Sequence, residues 1–394
     1  MRTFKESIDL SLKDRNGEIE MNQATIEFDG TNYILCATTT EDDRMTLLSN
    51  ELVNNPKHFG EYIINSSQVQ VGNGHYDFSE SVLLHTRVEH TQYGAKYQWA
   101  IRSFKKVTQS NDEEGYLFYI AAIDKKWRIK GLGDTTAEFE YRHNTYSISQ
   151  NEENEILIKT SKDNPYKDMV VSLLSLFQGT AMEIRCKEEC KEGKKTTSYL
   201  PVQYRFSEQS RFTHELSYIE HAPFKDFVQL SLNTAANYTD RTKRDYIVKA
   251  IKRYIGSKYV DNQTKFIYLV SVLEVIAENV EKIKTTEKVV GKDGKERNCP
   301  RAAYDIVGES LTNKNIDLSK LNDTIEESIG LKDFVDLRNE ILHRLPSEKI
   351  TDYLNYKYQM YYLEFTVCIS ILHHLGFDNI QFRRGFKLSI YKGV

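Results

Sequence analysis

The chain has 394 residues, with 53 Lys and Arg against 57 Asp and Glu, for a formal net charge of −4. An apolar share of 40% beside a charged share of 28% excludes a disordered chain, and only six prolines with 19 glycines exclude a collagen-like or linker-dominated one. The length accommodates about two or three domains. The charge is uneven: residues 1–240 carry 27 basic and 36 acidic side chains, residues 241–394 carry 26 and 21. An acidic part thus precedes a mildly basic one, and the two parts are expected to do different jobs. The five cysteines are odd in number and widely spaced, which does not read as a disulfide framework. Cys186 and Cys190 form a lone C-x3-C, a weak zinc signal read as two reduced thiols, so no metal and no cofactor is expected. The N-terminal residues lack the apolar core of a signal peptide, and no apolar run is long enough to cross a membrane. A soluble, cytoplasmic protein is expected.

Residues 1 to about 160 read mostly as strands. Thr25–Thr39 is β-branched and aromatic with a break at Asp29-Gly30, His85–Val107 alternates, and Tyr116–Ile123 has the length of a buried strand. Trp127–Ile129, Thr136–Tyr141, Thr145–Ile148 and Ile156–Ile158 follow between turn residues, a spacing that predicts a sandwich or open barrel. After Asn164-Pro165, Tyr166–Phe177 has helical spacing, and Ala181–Cys190 with Thr196–Phe206 reads as a late hairpin. From Phe224 the pattern becomes helical. The candidates are Phe224–Tyr238, Thr242–Ile255, Gln263–Ile283, Arg301–Leu311, Leu331–Leu345 and Tyr353–Leu375, the last ended by Gly376. Between Lys284 and Pro300 an insertion resembles a small exposed hairpin. The fold class is therefore α+β: a β-rich region over 1–220, then a helical bundle over 221–394.

The chemistry concentrates in Asp333–Pro346, DFVDLRNEILHRLP. On a helix, Phe334, Leu337, Ile341 and Leu345 form an apolar stripe, and Asn339 and His343, four apart, share the opposite face. Arg338 lies to the side with a side chain long enough to swing towards them. These residue types suit RNA cleavage without a metal. RNA supplies its own nucleophile, the ribose 2′-OH. Histidine can take or give a proton near neutrality, arginine grips phosphate oxygens as a fork, and asparagine can orient either. One copy supplies one histidine, so general acid plus general base calls for a two-fold dimer.

The run Arg338-Asn339-Glu340-Ile341-Leu342-His343 resembles the R-N-x-x-x-H motif of the HEPN superfamily. The preceding long apolar helix, with Leu273-Glu274, resembles the HEPN first helix. With its β-rich N-terminal region, the layout is similar to ApeA-like HEPN proteins of prokaryotic anti-phage defence. The resemblance implies a helical, dimeric, metal-independent endoribonuclease that acts in growth arrest or abortive infection. It implies catalytic roles for Arg338, Asn339 and His343, a matching acidic position at Glu274, and an N-terminal region that senses a phage-derived trigger or restrains activity. The alternatives are a non-catalytic HEPN-like module that binds nucleic acid or protein, and one half of a toxin–antitoxin pair.

Residues 282–301 hold seven Lys or Arg, including Lys292, Lys295 and Arg297. They read equally as a flexible basic loop on RNA phosphates or as an ordinary solvated loop. Arg241, Lys243, Arg244, Lys249, Lys252 and Arg253 give the Thr242–Ile255 helix a basic face that is expected to be solvated. His373-His374 is expected to cap the last helix. Arg383-Arg384 beside Phe382 and Phe386 forms a basic aromatic tail, and Phe386–Tyr391 a terminal strand.

Overall fold

The computed structural model describes residues 5–8, 10–14, 16–28, 32–65, 75–91, 94–122, 132, 136–151, 155–163, 166–200, 224–238, 240–316, 331–343, 357–377, 379–383 and 387–391. Of residues 42, 58, 64, 65, 91, 121, 122, 331–333, 343, 357–359, 361, 362, 379–383 and 387–391 the backbone alone is described. Trp127–Ile129, Asn164-Pro165, residue 220, Leu345, Pro346, Arg384 and Phe386 lie outside these residues.

The N-terminal part is antiparallel sheet. In chain order its elements are β1 (Lys5–Ser7), β2 (Leu10–Asp14), β3 (Gly17–Phe28), β4 (Tyr33–Thr39), helix α1 (Asp42–Asn54), a 3-10 segment (Pro56–Tyr62), β5 (Ile63–Asn65), β6 (His75–Asp77), β7 (Leu83–Thr91), β8 (Gly94–Ile101) and β9 (Phe104–Gln109). There follow β10 (Gly115–Ala122), β11 (Ala137–Tyr141), β12 (Asn144–Gln150), β13 (Ile156–Thr160), α2 (Lys167–Gln178), β14 (Met182–Lys191) and β15 (Lys194–Tyr199). Among the described residues one sheet has the order β5-β2-β3-β4-β8-β7 with β1 on β3, and a second has the order β11-β12-β13-β10-β14-β15-β9-β6.

Strand β3 shows how the pattern holds the first sheet in register. Its buried residues are Ile19 and Met21, then Ala24, Ile26 and Phe28. The parity switches at Gln23, which has φ +51°, where the pairing with β4 slips between Asn22 and Thr25. A bulge of one residue keeps both halves' apolar side chains in the core. One element departs from the strand reading. Residues 42–54 form helix α1, which buries Met45, Leu48 and Leu52 at helical spacing.

The helical part comprises α3 (Phe224–Ala236), α4 (Arg241–Gly256), α5 (Asn262–Val275) with a π-helical extension (Ile276–Val280), α6 (Ala303–Asn313), α7 (Leu331–His343) and α8 (Lys357–His374). Between the π segment and α6 stands the hairpin β16 (Thr286–Val290) and β17 (Glu296–Pro300), exposed as its sequence predicts. The C-terminal hairpin pairs β18 (Asn379–Arg383) with β19 (Lys387–Tyr391). Asp240 and Asp261 start α4 and α5 by accepting backbone N–H bonds from Thr242 at 2.9 Å and from Gln263 and Thr264 at 3.0 Å. Gly376 ends α8 at φ +90°, and a Cβ there would sit 2.3 Å from the Thr234 hydroxyl, so only glycine fits.

Two main apolar clusters hold the described residues together. One is built from Ile8 to Phe104. The other begins at Phe118, takes in α2 and the β10–β14 part of the second sheet, and continues through the helices to Phe377, whereas Tyr76 of β6 and Phe104 of β9 belong to the first. Strands β10–β14 and the bundle thus share one core, and the two clusters part between Phe104 and Phe118. Tyr33 links the sheets: its hydroxyl donates to the Leu200 carbonyl at 3.1 Å, and its ring meets Phe104 and Tyr199 edge-on. Among the described residues no helix is long and apolar enough to cross a membrane.

Candidate active site

Helix α7 is amphipathic in the sense its spacing predicts. Phe334 and Leu337 are buried, joined by Val335, and Ile341 packs on the same core, whereas Asn339 and Leu342 are exposed. The Phe334 ring lies 6.0 Å from that of Phe266, which docks α7 on α5.

One turn beyond Phe334, Arg338 reaches the same helix. Its Nη2 donates to Glu274 Oε2 at 2.9 Å and its Nη1 donates to Asn339 Oδ1 at 2.8 Å. The two side chains of the ion pair retain 24% and 15% of their exposure, so the pair stands at the edge of the core and neither sealed in it nor fully solvated. Burial pushes the Glu274 carboxyl above the usual carboxylate range, Arg338 pulls it the other way, and Glu278 adds to the rise. The structure thus brings together Arg338, Asn339 and Glu274, which are separated by 64 positions at the ion pair. The His343 backbone stands one turn beyond Asn339 at the end of α7; its side chain lies outside the described residues.

Lys292, Lys295 and Arg297 lie on the β16–β17 hairpin. Arg297 is paired with Asp293 at 2.6 Å, and Lys288 with Glu296 at 2.9 Å. Lys282 pairs with Asp240 and Arg301 with Glu309. Lys292 and Lys295 are exposed and make no ion pair among the described residues. No hydrogen bond or ion pair there links the hairpin to Arg338, Asn339 or Glu274.

The π segment has a positional consequence. In an unbroken α-helix Glu274 and Glu281, seven apart, would share a side. Here the helix widens to an i→i+5 bond, Glu281 N–H to Ile276 O at 3.0 Å, and the second acid faces other partners. Glu281 accepts from Ser310 at 2.9 Å, contacts His374 Nε2 at 2.9 Å and pairs with Lys314. Tyr238 donates to the His374 carbonyl, and His373 Nε2 meets the Lys314 carbonyl at 3.0 Å. Burial lowers the His374 imidazole, with Glu281 opposing and Lys314 assisting. The histidine pair therefore does more than cap α8: it ties α8 to α5 and α6. Sequence reasoning missed Glu281 and Lys314 as its partners; the available signal was a glutamate at the end of an apolar helix.

Cys186 and Cys190 lie on β14 as free thiols, and burial pushes Cys186 up to about 12, a protonated thiol rather than a thiolate. Among the described residues no cluster of His, Cys, Asp and Glu could hold a metal ion. Compared with family models, curated proteins and solved structures, the chain matches none of them.

Proposed function

We propose that the protein is a metal-independent endoribonuclease of the HEPN type. It acts as a homodimer in the cytoplasm, in anti-phage defence of the abortive-infection kind, with a phage-derived trigger read by the N-terminal region. The observation that supports this reading is the bridge Glu274–Arg338–Asn339. It joins the acidic position of the long apolar helix to the Arg-Asn-x-x-x-His helix, and it holds a guanidinium at the edge of the core.

In this reading Glu274 sets the rotamer of Arg338, and one guanidinium edge turns to the scissile phosphate. The guanidinium offsets the charge that grows on the phosphorane. Asn339 orients Arg338 or a phosphate oxygen. His343 acts as general base on the 2′-OH in one protomer, and its counterpart in the second protomer protonates the 5′-oxygen leaving group. The products are a 2′,3′-cyclic phosphate and a 5′-hydroxyl.

The test is cleavage of RNA in EDTA by the wild type, by His343→Ala and by Arg338→Ala, with product ends mapped. Cyclic-phosphate ends from the wild type, and far fewer from either variant, are expected. Equal cleavage by all three would sink the proposal.

A further inference from the structure

The basic face of α4 divides in two. Arg244 is turned inward, with 6% of its exposure left and its guanidinium carbon 5.2 Å from the Tyr166 ring centroid. Lys249, Lys252 and Arg253 stay exposed. Tyr246, Lys249 and Arg253 recur at spacings of three and four, so they share one face of the helix. Lys249 Nζ lies 4.8 Å from the Tyr246 ring centroid, and Arg253 Nη1 donates to Ser271 Oγ on α5 at 3.4 Å. Among the described residues neither Lys249 nor Arg253 makes an ion pair. The single acid of α4, Asp245, lies 3.9 Å from Arg241.

The Arg253 contact brings these cations to the Arg338 cluster. Helices α4 and α7 both pack on α5. Arg253 reaches across from α4 and ends at Ser271; Arg338 reaches across from α7 and ends at Glu274, at 2.9 Å. Ser271 and Glu274 are three apart on α5, and such residues are neighbours on a helix surface, about 5–6 Å apart at Cβ. Two guanidinium groups from separate helices thus converge on one turn of α5. One turn earlier stands Tyr268, 37% exposed, whose carbonyl accepts from the Ser271 hydroxyl at 2.8 Å. Beyond Glu274 by one turn, the exposed Glu278 bounds the strip at its other end. From Lys249 to Arg338, cations and tyrosine rings are interleaved. A solvated helix face intersperses both signs of charge, and this one does not.

We propose that this strip holds the single-stranded RNA next to the scissile phosphate, with Lys249 and Arg253 on backbone phosphates and a base stacked on Tyr268. Cations that track a backbone beside exposed aromatic rings hold a single strand without reading its sequence. A duplex keeps the faces of its bases inside its own stack and leaves Tyr268 unfilled. The proposal deepens the ribonuclease reading and rests on it for placing the cleaved bond at Arg338. Arg253 and Lys249 bind substrate away from the reacting atoms, so they are expected to act on affinity and not on the chemical step.

Fluorescence anisotropy of the full chain with a short, labelled 2′-O-methyl RNA tests it; that oligomer lacks the nucleophile and stays intact. The wild type should bind the single strand at least about 10-fold more tightly than the matching duplex. Arg253→Glu and Lys249→Glu should each weaken binding about 10-fold or more. Each should also make the logarithmic salt dependence shallower by about 0.7 for every phosphate no longer neutralised. Tyr268→Ala should weaken binding about 5- to 150-fold with the salt slope kept, because it removes stacking and no charge. On cleavable RNA, Arg253→Glu should raise KM and leave kcat unchanged. A wild type that does not bind the oligomer overturns the proposal, as does a duplex bound as tightly as the single strand. So does an Arg253→Glu variant with the affinity and salt slope of the wild type, whether or not the wild type cleaves RNA. Binding that follows these expectations without cleavage by the wild type would support the strip and overturn the ribonuclease reading alone. Strip variants that shift the monomer–dimer balance in sedimentation while binding RNA normally would assign this face to a second copy and overturn the RNA assignment.

Discussion

Two glutamates of the helical part hold cationic partners, and their surroundings are opposite. Glu364 on α8 is fully buried; Lys265 reaches it at 2.8 Å, and Lys258, itself fully buried, lies 3.8 Å away while donating to the Gly179 carbonyl at 3.1 Å. Glu274 keeps part of its exposure and holds one arginine, whose other edge reaches exposed Asn339. The sealed cluster compensates charge inside the core and has no route to a large substrate. The edge cluster is weaker as a strut, yet it presents a guanidinium where a phosphate can arrive. Ion pairing is common to both. What separates a site from a strut is which side of the cation is left to solvent.

The largest effect is expected at Glu364. Glu364→Gln leaves the fully buried Lys258 ammonium and the mostly buried Lys265 ammonium without their carboxylate. Breaking a buried pair from one side costs about 3–5 kcal/mol, a large share of the roughly 5–15 kcal/mol that holds a domain together. Urea denaturation should show a large fall in midpoint, or a chain that does not fold. A stability loss of less than about 1 kcal/mol would mean that the two clusters are not different in kind.

Arg338→Ala should invert that outcome. A pair at the edge of the core, with its acid free to take up a proton, contributes little more than a surface pair, about 0–1 kcal/mol. The Glu274 carboxyl, already pushed up by burial, can take a proton once Arg338 has gone. Stability should therefore change little, and the Glu274 carboxyl should titrate at higher pH than in the wild type, as followed by carboxyl carbon NMR. RNA cleavage should fall by about 10²–10³-fold, as for removal of one preorganised charge donor. A variant that unfolds while its residual folded fraction cleaves normally would make Arg338 a strut like Lys265.

Between these extremes stands Glu281 with His374 and Lys314. The His374 imidazole is held below its ordinary 6.5 and the Glu281 carboxyl below its ordinary 4.5. A group whose folded pKa is depressed contributes stability above its unfolded value and loses it as pH falls through the folded one. Stability should thus decline below about pH 6.5 as unfolded chains take up the histidine proton, and further below about pH 4.5 through Glu281. His374→Gln should flatten the first part of that decline in a series of denaturation curves and soften the second, since the His374 hydrogen bond is the main influence holding the Glu281 carboxyl down. An unchanged slope near pH 6 would remove His374 from the account.

These contrasts also mark what the sequence could disclose. The helix around Arg338 was legible because Phe334, Leu337 and Ile341 recur at helical spacing, and a stripe is a local property. The β-rich part followed by helices was legible for the same reason. Helix α1 carried its own signal in Met45, Leu48 and Leu52, but it lies among strands, and a short helical run there is easily read as loop. The contact of Glu274 with Arg338 spans 64 positions, and no periodicity reports it; a family resemblance alone placed them together. Arg244 was misjudged as part of a solvated face, although it precedes Ile247, Ile251 and Tyr254 at spacings of three, four and three. A cation in line with an apolar stripe is the sequence signature of a buried charge. Glu364 carries the same signature ahead of Cys368 and Ile371.

The smallest structural effect is expected on the β16–β17 hairpin, where a functional contribution to RNA binding should separate cleanly from stability. Lys292 and Lys295 are exposed and lack ion-pair partners among the described residues, whereas Arg297 is held by Asp293 at 2.6 Å. Reversing the two lysines to glutamate should change stability by no more than about 0.5 kcal/mol, the usual range for surface substitutions. If the hairpin touches phosphates, RNA binding should weaken and its logarithmic dependence on salt should become shallower by about one to two units, because each phosphate that the hairpin no longer neutralises keeps about one counterion. Arg297→Glu should do less than either lysine, since its charge is already met within the hairpin. Binding and salt slope unchanged in the double lysine variant would make the hairpin a solvated loop.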